Sequence, residues 1–116
     1  MIHHASLEIR ADQLADCVAF WVVLGWNETP VAPGILDHGT WLERQGNQIH
    51  LQLVDDPSVP HGAHIALVDG NIDETVARII DAGYELLERE RYWGARRIFT
   101  RCPAGHRVEL MAAPPG

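Results

Sequence analysis

Basic charge is scarce in this chain. Lys and Arg total 9 against 16 Asp and Glu in 116 residues, a formal net charge of -7. A protein that tracks a phosphate backbone needs a clustered basic footprint, so nucleic acid is not an expected partner. Long apolar runs are missing too, since none approaches the roughly 20 residues that cross a bilayer. The first residues show neither the charged nor the apolar region of a secretory signal. Cysteine is limited to Cys17 and Cys102, far apart and in no CxxC pattern. Two reduced thiols in a reducing compartment fit that usage better than a disulfide framework. These absences predict a cytoplasmic protein that engages neither membrane nor nucleic acid.

What is present builds a core. Hydrophobic residues make up 47% and charged residues 22%, ordinary for a single globular domain over 1–116. The unusual ingredient is seven histidines, not clustered as a tag.

Taken in order, Ile2–Ile9 alternates. Ala5, Leu7 and Ile9 share one face, and His4, Ser6 and Glu8 the other. A helix is predicted from Ala11 or Asp12 to about Leu24. Leu14, Cys17, Val18, Trp21 and Val22 form its inner stripe, and Gly25 is its stop. A weak strand over Trp26–Ala32 follows, at an edge because of Pro30. Leu36–Arg44 and Gln48–Val54 then read as a hairpin around Gln45-Gly46-Asn47, with His50 and Gln52 opposite Ile49, Leu51 and Leu53. Asp55–Gly62 has two prolines and no periodicity, and reads as a linker.

The second half repeats the plan. Ala63–Val68 is a strand with His64 and Ala66 opposite Ile65 and Leu67. Asn71 is an N-cap for a helix over Ile72–Ala82, with Ile72, Val76, Ile79 and Ile80 inward and Gly83 as its end. Strands are expected over Tyr84–Glu88, Arg96–Arg101 and Arg107–Ala112, the last with Glu109 opposite Val108 and Leu110. The tail Ala113–Gly116 is expected to fray.

The spacing makes the repeat explicit. His4 and His64 are 60 positions apart, and His50 and Glu109 are 59 apart. Each half is one β-α-β-β-β module (about 1–54 and 63–112) with ligand-type residues on its first and last strands. The expected fold is therefore α+β. The helices cover one face, and the open faces form a curled mixed sheet, a cup lined by His4, His50, His64 and Glu109. Three imidazoles and a carboxylate suit a divalent ion such as zinc, nickel, iron, manganese or cobalt. Four protein donors leave open positions for water or substrate, as a catalytic site requires.

The opening HHASLEI, the stretch Val18-Ala19-Phe20-Trp21 with Leu24-Gly25, the strand IHLQL, the segment GAHIAL and the close CPAGHRVELM carry a resemblance. In order and spacing they resemble the vicinal oxygen chelate superfamily. It includes glyoxalases, fosfomycin-resistance thiol transferases, extradiol dioxygenases, methylmalonyl-CoA epimerase and bleomycin-binding proteins. The resemblance covers nearly the whole chain and implies the same four ligand positions. It also implies a homodimer and a metal-dependent enzyme that chelates a small oxygen-bearing substrate. Isomerase, epimerase, lyase, transferase and dioxygenase chemistry all use this scaffold. Glyoxalases have Glu at the second ligand position, where this chain has His50, so glyoxalase activity proper is not the expectation. The alternative is a non-catalytic small-molecule binder of the bleomycin-resistance type.

Taken singly, each of the four residues reads as a polar side chain on an open sheet face, and only the symmetric set reads as a metal site. Glu109 is also a catalytic candidate, together with Glu8, which reads as a general base or as a partner orienting an imidazole. Gln52 is a further such partner. Trp41, Gln52, Trp93 and Arg96 are candidates for lining the substrate pocket. His3 reads as structural on the face opposite His4, and His38, His61 and His106 read as solvated.

Overall fold

The structure, a computed structural model, describes residues 1–31, 33–35 and 39–116. Each half of the chain becomes one four-stranded sheet with one helix. The first runs β1 (His4–Ile9), a 3-10 turn (Ala11–Gln13), α1 (Leu14–Val23), β2 (Asn27–Thr29), β3 (Gly39–Arg44) and β4 (Asn47–Leu53). The second runs β5 (His64–Val68), α2 (Ile72–Ala82), β6 (Leu87–Arg89), β7 (Arg97–Arg101) and β8 (Arg107–Met111). The strand orders match, β1-β4-β3-β2 and β5-β8-β7-β6. In each sheet the first strand lies parallel to the last, because the helix carries the chain across, and the other pairs are antiparallel. The fold is α+β with two β-α-β-β-β modules, each with its own sheet. The chain divides into two compact units, Met1–Val59 and Pro60–Gly116, with the boundary inside the predicted linker. Among the described residues no helix is long and apolar enough to cross a membrane.

In the first unit α1 buries Cys17, Phe20 and Trp21, and Leu24 and Trp26 follow them. The sheet contributes Ile9, Leu42, Ile49 and Leu51. Full burial of such side chains is worth about 1.5–3 kcal/mol each. The buried stripe is rotated from the expected one, since Phe20 is buried and Val22 is 51% exposed. The run from Ala19 to Leu24 is apolar on every side, so its period does not mark a face. Gly25 (φ 93) closes the helix by donating its N–H to Val22 O at 2.9 Å. β2 is shorter than predicted, and the beginning of the predicted strand from Leu36, with His38, lies outside the described residues. β3 starts at Gly39 (φ 152), where an added Cβ would sit 1.8 Å from Leu51 O. Only glycine fits there.

In the second unit α2 buries Ile72, Thr75, Val76 and Ile79, and the sheet buries Ile98, Val108 and Leu110. Ile80, expected inside, is 61% exposed, and Thr75 takes the inward place. The cause is Asp69, which is 1% exposed. Its Oδ2 accepts the Thr75 hydroxyl at 2.5 Å and its Oδ1 accepts the Asn71 N–H at 2.9 Å. Asn71 holds the N-cap position, but its side chain makes no capping bond, and Asp69 instead holds the Asn71 N–H at the entry to the helix. Gly83 (φ 82) ends the helix in the left-handed region, as its sequence position predicts. Tyr84 still closes that helix, its N–H donating to Ile79 O, so β6 begins at Leu87 rather than at Tyr84. Cys17 and Cys102 are both buried, as thiols and not as a disulfide. The tail is anchored at its start, because Ala113 O accepts the Trp93 indole N–H at 2.7 Å.

Candidate functional site

Register places the side chains of each open face. In the second unit His64 lies beside Arg107, and Arg107 beside Arg101. The next row is Ala66, Glu109, Phe99 and Leu87, and the third is Val68, Met111, Arg97 and Arg89.

Glu109 is the centre of this face. It is 6% exposed, with both carboxylate oxygens engaged. Oε1 lies 3.0 Å from His64 Nε2, and Oε2 accepts from Arg97 Nε at 2.9 Å. His64 Nδ1 lies 3.0 Å from Gly62 O. A carbonyl only accepts, so Nδ1 carries a proton and Nε2 is turned toward Glu109. Phe99 meets the His64 ring edge-on at 4.9 Å. Arg97 is fixed in turn by Glu90 O, which accepts from Nη1 at 2.9 Å, and by the Tyr92 and Trp93 rings, each 5.3 Å away. The result is a desolvated carboxylate clamped between an imidazole and a guanidinium.

Arg97 was not among the sequence candidates, and Arg96 takes a different course. Arg96 donates from Nη1 to Asp73 at 2.6 Å and from Nε to Glu88 at 3.0 Å. The hydrogen bond to Glu88, then that to Asp73, raises its affinity for its proton beyond the ordinary guanidinium value. Asp73 lies in the first turn of α2, so Arg96 serves the helix and not the open face. Arg96 lines a separate cavity of about 480 Å³ with Asn71, Asp73 and Arg91, while Arg97 is the arginine beside Glu109. Trp93 reaches the face through its contact with Arg97.

The first unit's open face has rows His4–Gln48, Ser6–His50–Trp41 and Glu8–Gln52–Gly39. His50 stacks on Trp41 with centroids 4.3 Å apart and planes 5° apart. His4 meets the same indole edge-on at 4.7 Å. Ser6 Oγ donates to Gln52 Oε1 at 3.1 Å and lies 3.3 Å from His50 Nδ1. With its own proton given to Gln52, Ser6 accepts from His50 Nδ1–H. Gln52 thus contacts His50 through Ser6. Glu8 accepts the backbone N–H of Ser58 at 2.8 Å, so its carboxylate anchors the segment after β4. His3, expected on the opposite face, lies with its Nδ1 3.0 Å from His4 Nδ1. It precedes β1, so strand alternation does not bind it. His106, expected in solvent, is 6% exposed.

The structure therefore pairs His64 with Glu109, and His4 with His50 around Trp41. Among the described residues no three His, Cys, Asp or Glu side chains are gathered as a metal ion requires. The donors themselves suit a divalent ion. His50 and His64 both have Nδ1–H committed to an oxygen, which turns Nε2 to the ligating side, the arrangement that orients metal-bound histidines, and for His64 an ion would take the place of the Nε2–Glu109 contact. Glu109 is held by Arg97 so that Oε1 is the oxygen beside His64.

Residues 6–111 match a family model described as a glyoxalase-like domain. No curated protein sequence is a significant match. Among solved structures, a glyoxalase family protein from Bacillus anthracis is 23% identical with a TM-score of 0.85, over 96% of this chain and 93% of that one. The fosfomycin resistance protein FosX of Listeria monocytogenes, as a mutant complexed with Mn(II) and 1S,2S-dihydroxypropylphosphonic acid, is 23% identical with a TM-score of 0.77, covering 98% and 92%. The oxidase ChaP-H1 is 19% identical with a TM-score of 0.76, covering 100% and 98%. At these identities the likeness is one of fold.

Proposed function

The chain belongs to the glyoxalase-like domain family, within the vicinal oxygen chelate superfamily, and on that premise we propose that it is a metal-dependent enzyme acting on a small oxygen-bearing molecule. Its donors are His64 and Glu109 of the second module and His4 and His50 of the first. A divalent ion held by these residues would supply Lewis-acid chemistry, polarising substrate oxygens. The manganese and diol ligands named for the FosX complex support that choice of ion and of substrate chemistry.

The protein's own groups do the positioning. Gly62 O fixes the His64 tautomer, and Arg97 holds one Glu109 oxygen so that the other faces His64. Phe99 and Leu87 give the face an apolar floor. Glu8 stays a candidate general base on the first module's face, with one carboxylate oxygen accepting the Ser58 N–H. The working unit is a homodimer, as the resemblance implies. The single observation that carries the reading is the Gly62–His64–Glu109–Arg97 chain of contacts.

A second reading is a small-molecule binder without catalysis. The His4–Trp41–His50 ring cluster favours it, with the imidazoles over a buried indole as the aromatic surface for a flat ligand. Metal analysis separates the two. The enzyme reading expects about one manganese or zinc ion per chain, and a loss of affinity of about 100-fold or more in His64→Ala and Glu109→Gln. If the purified protein takes up no stoichiometric metal and His64→Ala changes nothing, the binder reading replaces it.

A further inference from the structure

The second module's open face concentrates positive charge that is rare elsewhere. The chain has no lysine, so all 9 of its basic residues are arginines. Arg89, Arg97, Arg101 and Arg107 share this one face by register. Three of them surround one ring. The guanidinium carbon lies 3.6 Å from the Phe99 centroid for Arg107, 5.4 Å for Arg89 and 6.0 Å for Arg97.

Their commitments differ. Arg97 is held by Glu109 and Glu90 O. Arg101 donates to Gly105 O and His61 O and pairs with Glu85 at 3.3 Å. The Arg107 guanidinium makes no hydrogen bond or ion pair among the described residues, and the Phe99 ring is its contact. It is half-buried and lines a cavity of about 290 Å³ with Phe99, Leu87, Arg101 and Glu85. A guanidinium lying on an aromatic ring keeps its N–H groups in its own plane, free to form a two-pronged bond with an oxyanion. Removing a cation partly from water without an ionic partner is costly, and an incoming anion relieves that cost.

We propose that this cavity receives the oxyanion group of the substrate, a carboxylate or a phosphoryl group, with Arg107 as the receiving fork and Phe99 as its platform. The inference deepens the enzyme reading and rests on it for the chemistry after binding. Arg107 is the register neighbour of His64, so a small molecule anchored by its anionic end presents its remainder to His64 and Glu109.

The test titrates the full chain, stripped of metal with a chelator, with inorganic phosphate and separately with benzoate by calorimetry. Saturable one-to-one binding of at least one anion is expected, and the preferred probe identifies the phosphoryl or carboxylate class. Arg107→Met keeps an unbranched side chain over Phe99 and removes the fork, and it should weaken binding by about 10-fold or more. Arg107→Lys keeps the charge without the fork and should fall between, which guards against misfolding of the first variant. Arg89→Met should change affinity less than about twofold. The proposal is overturned if neither anion binds, or if Arg107→Met binds as the unaltered chain does. Manganese titration of the same samples separates the two readings. Metal uptake without Arg107-dependent anion binding sinks this proposal alone. Anion binding through Arg107 without metal uptake supports it and removes the metal.

Discussion

Where the first module has Gln48, His50, Gly39 and Trp41, the second has Arg107, Glu109, Arg97 and Phe99, at matching positions of the same strand register. His4 and His64 correspond as well, and in both modules an aromatic ring from the third strand packs against an imidazole. The shared part is the backbone lattice, the leading histidine and the ring. The divergent part is electrostatic. The first face orients its histidine with neutral groups, Ser6 and Gln52, whereas the second clamps a carboxylate between charged or chargeable partners. A repeated fold can thus keep one ligand geometry twice and assign anion handling to a single copy.

The largest expected effect tests the lattice. Gly39→Ala forces a Cβ into Leu51 O and should cost at least about 4 kcal/mol, read by urea unfolding. Ala at the matching position 97 meets no such backbone demand, so the two alanine variants should differ sharply. Equal losses would dissolve the correspondence. Next comes the clamp. Arg97→Met leaves Glu109 buried without its cation and should destabilise by about 2–3 kcal/mol. A double-mutant cycle with Glu109→Gln should assign most of that to the pair, and additive losses would mean that Arg97 acts through packing on Tyr92 and Trp93 instead. The smallest concerns the helix entries. Asp69→Ala removes buried bonds to Thr75 and Asn71 and should cost about 2 kcal/mol. Gln13→Ala removes an exposed bond to the Arg10 N–H and should cost about 0.5 kcal/mol. Thermal unfolding of both variants measures the gap.

Much of this was legible in sequence, because one-sided burial imposes a period. His4, His64 and Glu109 lie opposite apolar neighbours, and α2 has the predicted bounds Ile72–Ala82. The failures fall where the period is ambiguous. Arg96-Arg97 precedes Ile98-Phe99, two arginines before two apolar residues, so alternation alone does not say which arginine faces out. Burial of Ile98 against the helix side settles it, and places Arg97 beside Glu109. In Tyr84–Arg89 the apolar residues again fall in both phases, and the helix closure takes Tyr84. The turn of Thr75 toward the core depends on Asp69, six residues earlier, a side-chain bond that no hydropathy pattern encodes. His106 is buried in the turn between β7 and β8, where periodicity does not apply.

The glycine that opens β3 makes the difference between the modules directional. Position 97 can surrender its arginine and keep its backbone. Position 39 cannot acquire one, because any side chain there meets the Leu51 carbonyl before it reaches the open face. If the two modules descend from one ancestral unit, this pair of positions works as a ratchet. A change at 97 leaves its strand's backbone in place, while a change at 39 displaces the pairing of β3 with β4.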